Sequence, residues 1–251
     1  MKHALPNRVA LVTGASRGLG ASIARSLAES GAAVALNYFS SPEKAEALAA
    51  ELEKSGARAA AFKADVRDEQ QVKQMVAAVE SKFGPIDVLV INATGPQPML
   101  KLEELTWRAC LDQLEFFVKS PVLLMQATLA QMKKRRYGRI IQIGSEVFDL
   151  GIPQFSNYVS AKGAQLGLSR SWARELAPFQ ITVNTISPGW IPTERHVNDP
   201  QSAKDAYAAD VPMQRMGVPT DIGAAVAFLA SDAANFITGQ NIAINGGKTL
   251  G

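Results

Sequence analysis

Tyr158, Lys162 four residues after it and Ser145 thirteen residues before it lie in the stretch I-G-S-E-V-F-D-L-G-I-P-Q-F-S-N-Y-V-S-A-K. On a helix, positions i and i+4 stack on one face, so the phenol and the ammonium point the same way. A phenol with its ordinary pKa near ~10 is a poor acid or base at neutral pH, and a neighbouring cation favours the phenolate. A hydroxyl arriving from a separate segment can hold a substrate oxygen. Together the three groups suit proton transfer at a carbonyl/alcohol pair. They lack a hydride source, which the rest of the chain must supply.

The elements that must position them alternate. Short apolar, β-rich runs recur at Val9–Val12, Ala33–Leu36, Ala59–Phe62, Val88–Ile91, Ile140–Ile143, Ile181–Ile186 and Ile242–Ile244. Helical patterns separate them. One covers Ala21–Ser30. Another has Ser41 as cap, Pro42 in the first helical position and Gly56 as stop. A third starts at the cap Asp68 and ends near Gly84-Pro85. A long amphipathic helix is expected over about 106–135, and another over about 157–177 carrying Tyr158 and Lys162 in its first turns. Alternating strands and helices imply βαβ units, hence an α/β domain with a parallel sheet of about seven strands and helices on both faces. No linker, low-complexity tract or internal repeat divides the chain, so residues 1–251 read as one domain. Residues 190–217 contain no strand, are rich in Pro, Gln, Asp and Ala, and read as a substrate lid with a helix near 201–209.

The first strand runs into T-G-A-S-R-G-L-G, Thr13 to Gly20, and then a helix. Such a turn points backbone N–H groups and a helix dipole at a pyrophosphate, and glycines let it approach. By itself it is also an ordinary strand-to-helix connection. Its glycines at 14, 18 and 20 do not fit G-x-G-x-x-G, and no Gly-Lys-Ser/Thr of a P-loop follows.

With I-N-A-T-G after the fourth strand, Ser145 with Y-V-S-A-K, and I-S-P-G-W-I-P-T after the sixth, the chain resembles the short-chain dehydrogenase/reductase family. The resemblance covers about Arg8 to Gly247, with four motifs in family order. It is nearest to the 3-oxoacyl-acyl-carrier-protein reductase-like group. It implies a single-domain Rossmann-type doubly wound sheet, a nicotinamide cofactor, a place in fatty acid biosynthesis and a cytoplasmic enzyme. By position, Gly14, Ser16, Arg17, Gly18, Leu19 and Gly20 would hold the pyrophosphate and adenosine end. Asp65 and Val66 would meet the adenine, and Asn92, Ala93 and Thr94 the ribose side. Pro188, Gly189, Ile191 and Thr193 would border the nicotinamide. Tyr158 would exchange a proton with the substrate oxygen, Lys162 would lower the tyrosine pKa and hold the ribose, and Ser145 would bind the substrate oxygen.

An acidic residue at the end of the second strand would bind the 2′-hydroxyl of NAD and repel a 2′-phosphate. Here Asn37 and Tyr38 occupy that place, Arg17 offers a guanidinium fork, and Ser40 or Ser41 adds a hydroxyl, which favours NADP(H) over NAD(H). A second arginine common in NADP-using relatives is replaced by Phe39 and Ser40. The family also completes a tetrad with an asparagine on the long middle helix, where it bends the helix and holds a relay water. That position falls on Phe117, which is expected to do neither, and no asparagine occurs between Asn92 and Asn157. Ile91 and Thr94 depart from the family's N-N-A-G as well. Three readings follow: an NADPH-dependent reductase of a 3-oxoacyl thioester or similar ketone; an enoyl-thioester reductase, which usually spaces Tyr and Lys further apart; and a cofactor-binding regulatory or scaffold protein weakened in catalysis.

Apolar residues make up 47% of the chain and charged residues 20%, and the net charge is a mild +3, as expected of a globular protein with a sizeable core. The run Lys133-Lys134-Arg135-Arg136 suits a helix C-terminus better than nucleic acid, since no aromatic residues interleave with it. One cysteine, Cys110, excludes an internal disulfide, and the two histidines lie too far apart for a metal site. No apolar stretch approaches a membrane span, and M-K-H-A-L-P-N-R is not a secretory signal. A carbonyl substrate, small or carried on an acyl carrier, is expected over the strand C-termini. The apolar candidates around it are Phe148, Phe155, Trp190 and Met213, and the polar ones Glu146, Gln154 and His196. Arg135, Arg136 and Arg139 offer a surface to an acidic carrier protein. The resemblance implies a homotetramer (or dimer) through the two long helices, with Phe116, Phe117, Leu166, Leu168 and Trp172 as apolar surface.

Overall fold

A computed structural model describes residues 5–250. The first four residues of the N-terminal stretch read for a secretory signal, His3 among them, therefore lie outside the described residues.

Seven parallel strands form one sheet in the order β3-β2-β1-β4-β5-β6-β7. They are β1 (Val9–Val12), β2 (Ala33–Tyr38), β3 (Ala59–Lys63), β4 (Val88–Ile91), β5 (Gly138–Ile143), β6 (Ile181–Pro188) and β7 (Asn241–Ile244). All seven expected runs are strands, lengthened where hydrogen bonding continues past the apolar residues. Helices α1 (Gly18–Glu29), α2 (Pro42–Lys54), α3 (Glu69–Phe83), α4 (Trp107–Leu114), α5 (Ser120–Arg135), the short α6 (Val147–Leu150), α7 (Ser156–Leu176), α8 (Gln201–Asp210) and α9 (Pro219–Ala230) complete it. The central strands are buried on both faces, the edge strands β3 and β7 only in part, and the sheet separates two cores. One face packs Ile23, Leu27, Ile222 and Val226 against Val34 and Val90. The other packs Val72, Val79, Leu124 and Leu176 against Leu11 and Leu89. Such a two-faced arrangement is what a parallel sheet requires.

The order reverses between β1 and β4, which opens a crevice at the carboxyl ends of those strands. The register sets its floor: Val12 pairs with Leu36 on one side and Val90 on the other. The Gly14, Asn37 and Asn92 regions therefore emerge at one level.

Several local expectations change. Helix α1 begins at Gly18 instead of Ala21, so the end of the glycine turn is already its first turn. Ser41 occupies the cap position of α2 without a side-chain cap bond, and Ser55 precedes Gly56 as the last cap. Asp68 does cap α3, accepting from the Gln71 N–H at 2.9 Å.

The largest change concerns the helix expected over 106–135. It is interrupted by a π-helical segment at Glu115–Lys119, centred on Phe117. The α-helical run is thus interrupted here without an asparagine. Pro121 supplies a cause: it lacks the N–H that would bond the Phe117 carbonyl four residues back, and its ring crowds that carbonyl.

Candidate active site

A cleft of about 930 Å³ runs along the crevice, from the glycine turn to the start of α7. All the expected cofactor and catalytic positions line it.

At the deep end, Gly14 and Gly18 hold φ of +63° and +58°, a region favouring glycine. Gly20 lies so close to the Gly14 carbonyl and the Asn92 amide that a Cβ would not fit. Thr13 ties the turn to β4: its Oγ1 accepts from Asn92 N at 2.9 Å and Ala93 N at 3.1 Å. The Asn92 side chain donates back to the Thr13 carbonyl at 2.8 Å. The amide of Asn37 is likewise turned inward, with Oδ1 accepting from Gly14 N at 3.2 Å and Nδ2 donating to the Ala64 carbonyl at 3.1 Å. Asn37 therefore braces the turn, and its side chain is not free for a ligand. Arg17 is exposed on the turn beside Leu19 and Ser16, with no ion-pair partner among the described residues. Tyr38, Ser40, Asp65 and Val66 form the neighbouring wall. Arg67 grips the Asp65 carboxylate through two bonds, at 2.9 and 2.7 Å, and holds its pKa below the usual range.

The other end carries the reacting groups. Ser145 follows β5, and Tyr158 and Lys162 stand one turn apart on α7. Phe155, tilted, and Phe117, edge-on, pack against the Tyr158 ring, with centroids 4.9 and 5.3 Å away. Burial pushes the phenol up to about 12, while the Ser145 hydroxyl, the Arg195 charge and the Gln97 amide pull it back. Burial also holds Lys162 well below its ordinary value. Its Nζ donates to the Ile143 carbonyl at 2.7 Å and to Gln165 Oε1 at 3.0 Å, and lies 3.8 Å from the Phe117 ring centre. Burial is thus the dominant influence on both groups, and Lys162 is not among the groups that pull the tyrosine down.

Loop 92–101 closes one side, held by the Gln113 and Asn157 amides, which donate to the Pro96 and Pro98 carbonyls at 2.9 and 3.1 Å. Pro188, Gly189, Ile191 and Thr193 close the other. Behind them Tyr207 of α8 donates to Glu146 Oε1 at 2.6 Å, and its hydroxyl accepts from Trp190 N at 2.8 Å. Glu146 is only 4% exposed and its Oε2 has no hydrogen-bond partner. Burial raises its pKa, against the pull of the Tyr207 bond. Glu146 thus holds the 190–217 segment in place more than it faces a substrate. His196 lines the cleft with Nδ1 engaged by Thr193, and burial lowers its pKa.

Other expected contacts fall elsewhere. Phe148, Gln154 and Met213 do not line the cleft: Phe148 packs beside Gly163, Gln154 forms a left-handed turn before α7, and Met213 bonds Gly246. Arg135, Arg136 and Arg139 sit at the opposite end of the sheet, where Arg135 pairs with Asp87, Arg136 binds the Pro178 carbonyl and Arg139 pairs with Asp232. Phe117 and Leu166 are buried within the chain, so neither is free subunit surface. Sequence reasoning missed Thr13, Gln97, Gln165, Arg195 and Tyr207. Gln165 alone carried a local signal, three residues beyond Lys162 on the same helix face.

The comparisons with known proteins agree with this layout. A family model described as enoyl-(acyl carrier protein) reductase matches residues 14–249. The 3-oxoacyl-[acyl-carrier-protein] reductase FabG of Staphylococcus aureus is 43% identical over 243 residues, 96% of this chain and 98% of that protein. The enzyme of the same name from Escherichia coli is 39% identical over 247 residues, 97% of this chain and 98% of that protein. This chain belongs to the short-chain dehydrogenase/reductase family. Among solved members, a blue fluorescent protein from a metagenomic library, in complex with NADPH, superposes with a TM-score of 0.90 at 38% identity, covering 98% of this chain and 99% of that one. Its fold is the doubly wound one expected of the family. No group of three or more His, Cys, Asp or Glu among the described residues is placed to hold a metal ion. No helix among them is long and apolar enough to cross a membrane.

Proposed function

We propose that this short-chain dehydrogenase/reductase is an NADPH-dependent ketone reductase, acting on a 3-oxoacyl thioester carried by an acyl carrier protein or on a similar carbonyl. One observation carries the reading: a single cleft joins the glycine turn, with Asn37 and Tyr38 in place of an acid at the end of β2, to Ser145, Tyr158 and Lys162. The residues fit the cofactor. The left-handed glycines and the lack of room at Gly20 leave bare backbone at the N-terminus of α1, which suits a pyrophosphate. Arg17, Ser40 and Tyr38 would take the 2′-phosphate, and Asp65, Val66, Asn92, Ala93 and Thr94 the adenosine and ribose walls. Bound NADPH supplies the hydride.

The chain's own groups do the rest. A phenol whose pKa burial has raised stays protonated at neutral pH, so Tyr158 is poised to donate to the carbonyl oxygen. Ser145 donates a hydrogen bond to the same oxygen as charge develops on it. Lys162 holds its two acceptors at the floor and keeps a third N–H for a ribose hydroxyl. Phe155, Phe117 and Trp190 exclude water, and residues 190–217 act as the lid over the substrate.

The identity to 3-oxoacyl-[acyl-carrier-protein] reductases supports the thioester substrate and a role in fatty acid synthesis in the cytoplasm. The family model's description raises the enoyl reading, which the i,i+4 spacing of Tyr158 and Lys162 opposes. NADPH consumption with acetoacetyl-thioester, a ketone panel and crotonyl-thioester tests the assignment. Turnover of the ketones and none of the crotonyl compound is expected. NADPH binding without turnover of any would favour the scaffold reading.

We also propose assembly as a homotetramer or dimer through α4, α5 and α7, where Trp107 is exposed and Trp172 half-buried. A monomer by gel filtration at micromolar concentration would refute it.

A further inference from the structure

Lys162 is an ammonium buried with no carboxylate beside it. Desolvation drives such a group toward its neutral form, and hydrogen bonds to the charged form are what oppose this. An ammonium has three donors. Among the described residues two acceptors meet them, the Ile143 carbonyl at 2.7 Å and Gln165 Oε1 at 3.0 Å. The Phe117 ring covers another side at 3.8 Å, a cation–π distance. Of these three, the carbonyl belongs to the sheet backbone, the ring is a weak partner, and Gln165 is the side-chain acceptor. Gln165 is 1% exposed, so its own amide would be costly there without a partner. It sits three residues beyond Lys162 on α7, which aligns it with the lysine on one helix face. The middle helix meanwhile presents Phe117, at the centre of its π-helical segment, where the family resemblance places an amide.

We propose that Gln165 is a positioning residue for Lys162: its amide carbonyl holds the ammonium from α7, a polar contact that the middle helix no longer offers, while the Phe117 ring fills the space opposite. The proposal rests on the ketone-reductase reading for its catalytic consequence. It predicts a double substitution that moves the amide back across the site. The titratable and charged groups around Lys162 are Tyr158, whose ring lies 5.5 Å from Nζ, and Arg195, whose charge reaches Tyr158.

The test uses Gln165→Met, Gln165→Glu and Gln165→Met combined with Phe117→Asn. One readout is NMR titration of the Lys162 ammonium in the cofactor-free protein, and the other is steady-state ketone reduction. Loss of one hydrogen bond to a charged group predicts a kcat about ten- to a hundredfold lower in Gln165→Met, with KM within about twofold. Lys162 should titrate at lower pH in Gln165→Met than in the parent, and at higher pH in Gln165→Glu. Adding Phe117→Asn should recover part of the lost kcat, which a merely structural role for Gln165 would not produce. An unchanged Lys162 titration in Gln165→Met overturns the proposal, as does a double variant no faster than the single one. If the parent reduces no ketone, the reductase reading fails, and the titration alone decides whether Gln165 holds the lysine. Gln165→Glu carries that titration test if the methionine variant does not fold.

Discussion

The two ends of the sheet treat charge in opposite ways. At the amino ends of β1, β4 and β5 the charges around Asp87 and Asp232 are paired. Asp87 accepts from Val9 N at 2.8 Å and from Arg135 at 2.6 Å, and Arg8 approaches it at 3.6 Å. Arg139, 3% exposed, pairs with Asp232, and the Tyr137 ring lies between Arg8 and Arg139 at 3.6 and 4.2 Å. At the carboxyl ends Asp65 keeps Arg67 as its partner, but the charges nearer the reacting groups and the glycine turn stand alone. Arg17 and Arg195 have no ion-pair partner among the described residues, Lys162 is buried without a carboxylate, and Glu146 keeps one buried oxygen unpartnered. Paired charges at one end lock neighbouring elements together. Unpaired ones at the other end are costly for the protein alone and useful once a charged ligand arrives. A reader looking for basic residues in the sequence is drawn to the wrong end, because Lys133–Arg136 is the densest cluster. The cations that matter are the isolated ones.

Substitutions separate the two ends. Of four substitutions that compare the ends, the largest effect is expected from Lys162→Met, which removes the buried ammonium: ketone reduction should fall about 10²–10⁴-fold in a steady-state assay. Asp87→Ala should act on stability and leave the site alone. Leaving Arg135 and the Val9 N–H without their acceptor should cost about 2–3 kcal/mol in urea unfolding, with KM unchanged. A loss of activity in the folded Asp87→Ala protein would break the division between the ends. Arg17→Ala should weaken NADPH binding about tenfold and leave NADH binding unaltered, as measured by fluorescence titration. Equal losses for both cofactors would mean that Arg17 holds the pyrophosphate and not the 2′-phosphate. The smallest effect is expected from Tyr207→Phe. It frees the 190–217 segment from Glu146, so the substrate KM should rise a few-fold while kcat changes little.

Much of this layout was legible in the sequence. Apolar runs located all seven strands because a parallel sheet buried on both faces needs them. The i,i+4 spacing placed Tyr158 and Lys162 on one face, since a helix imposes that geometry locally. Pro121 signalled the break at Phe117, yet an amphipathic pattern running through it masked the signal. What stayed hidden depends on tertiary contact. Glu146 and Tyr207 are 61 residues apart, and nothing in either local sequence pairs them. Asn37 reads as a ligand group by position, but the approach of β3 turns its amide inward to the Ala64 carbonyl. Burial, which spacing does not report, sets the protonation of Tyr158 and Lys162 more than their proximity does.

The most direct test of the site is Tyr158→Phe, assayed for NADPH consumption with acetoacetyl-thioester beside a fluorescence titration of NADPH binding. The account predicts that the parent chain consumes NADPH and that the variant binds it equally well but does not turn over. A variant that keeps the parent's rate, or a parent that binds NADPH and reduces nothing, would contradict it.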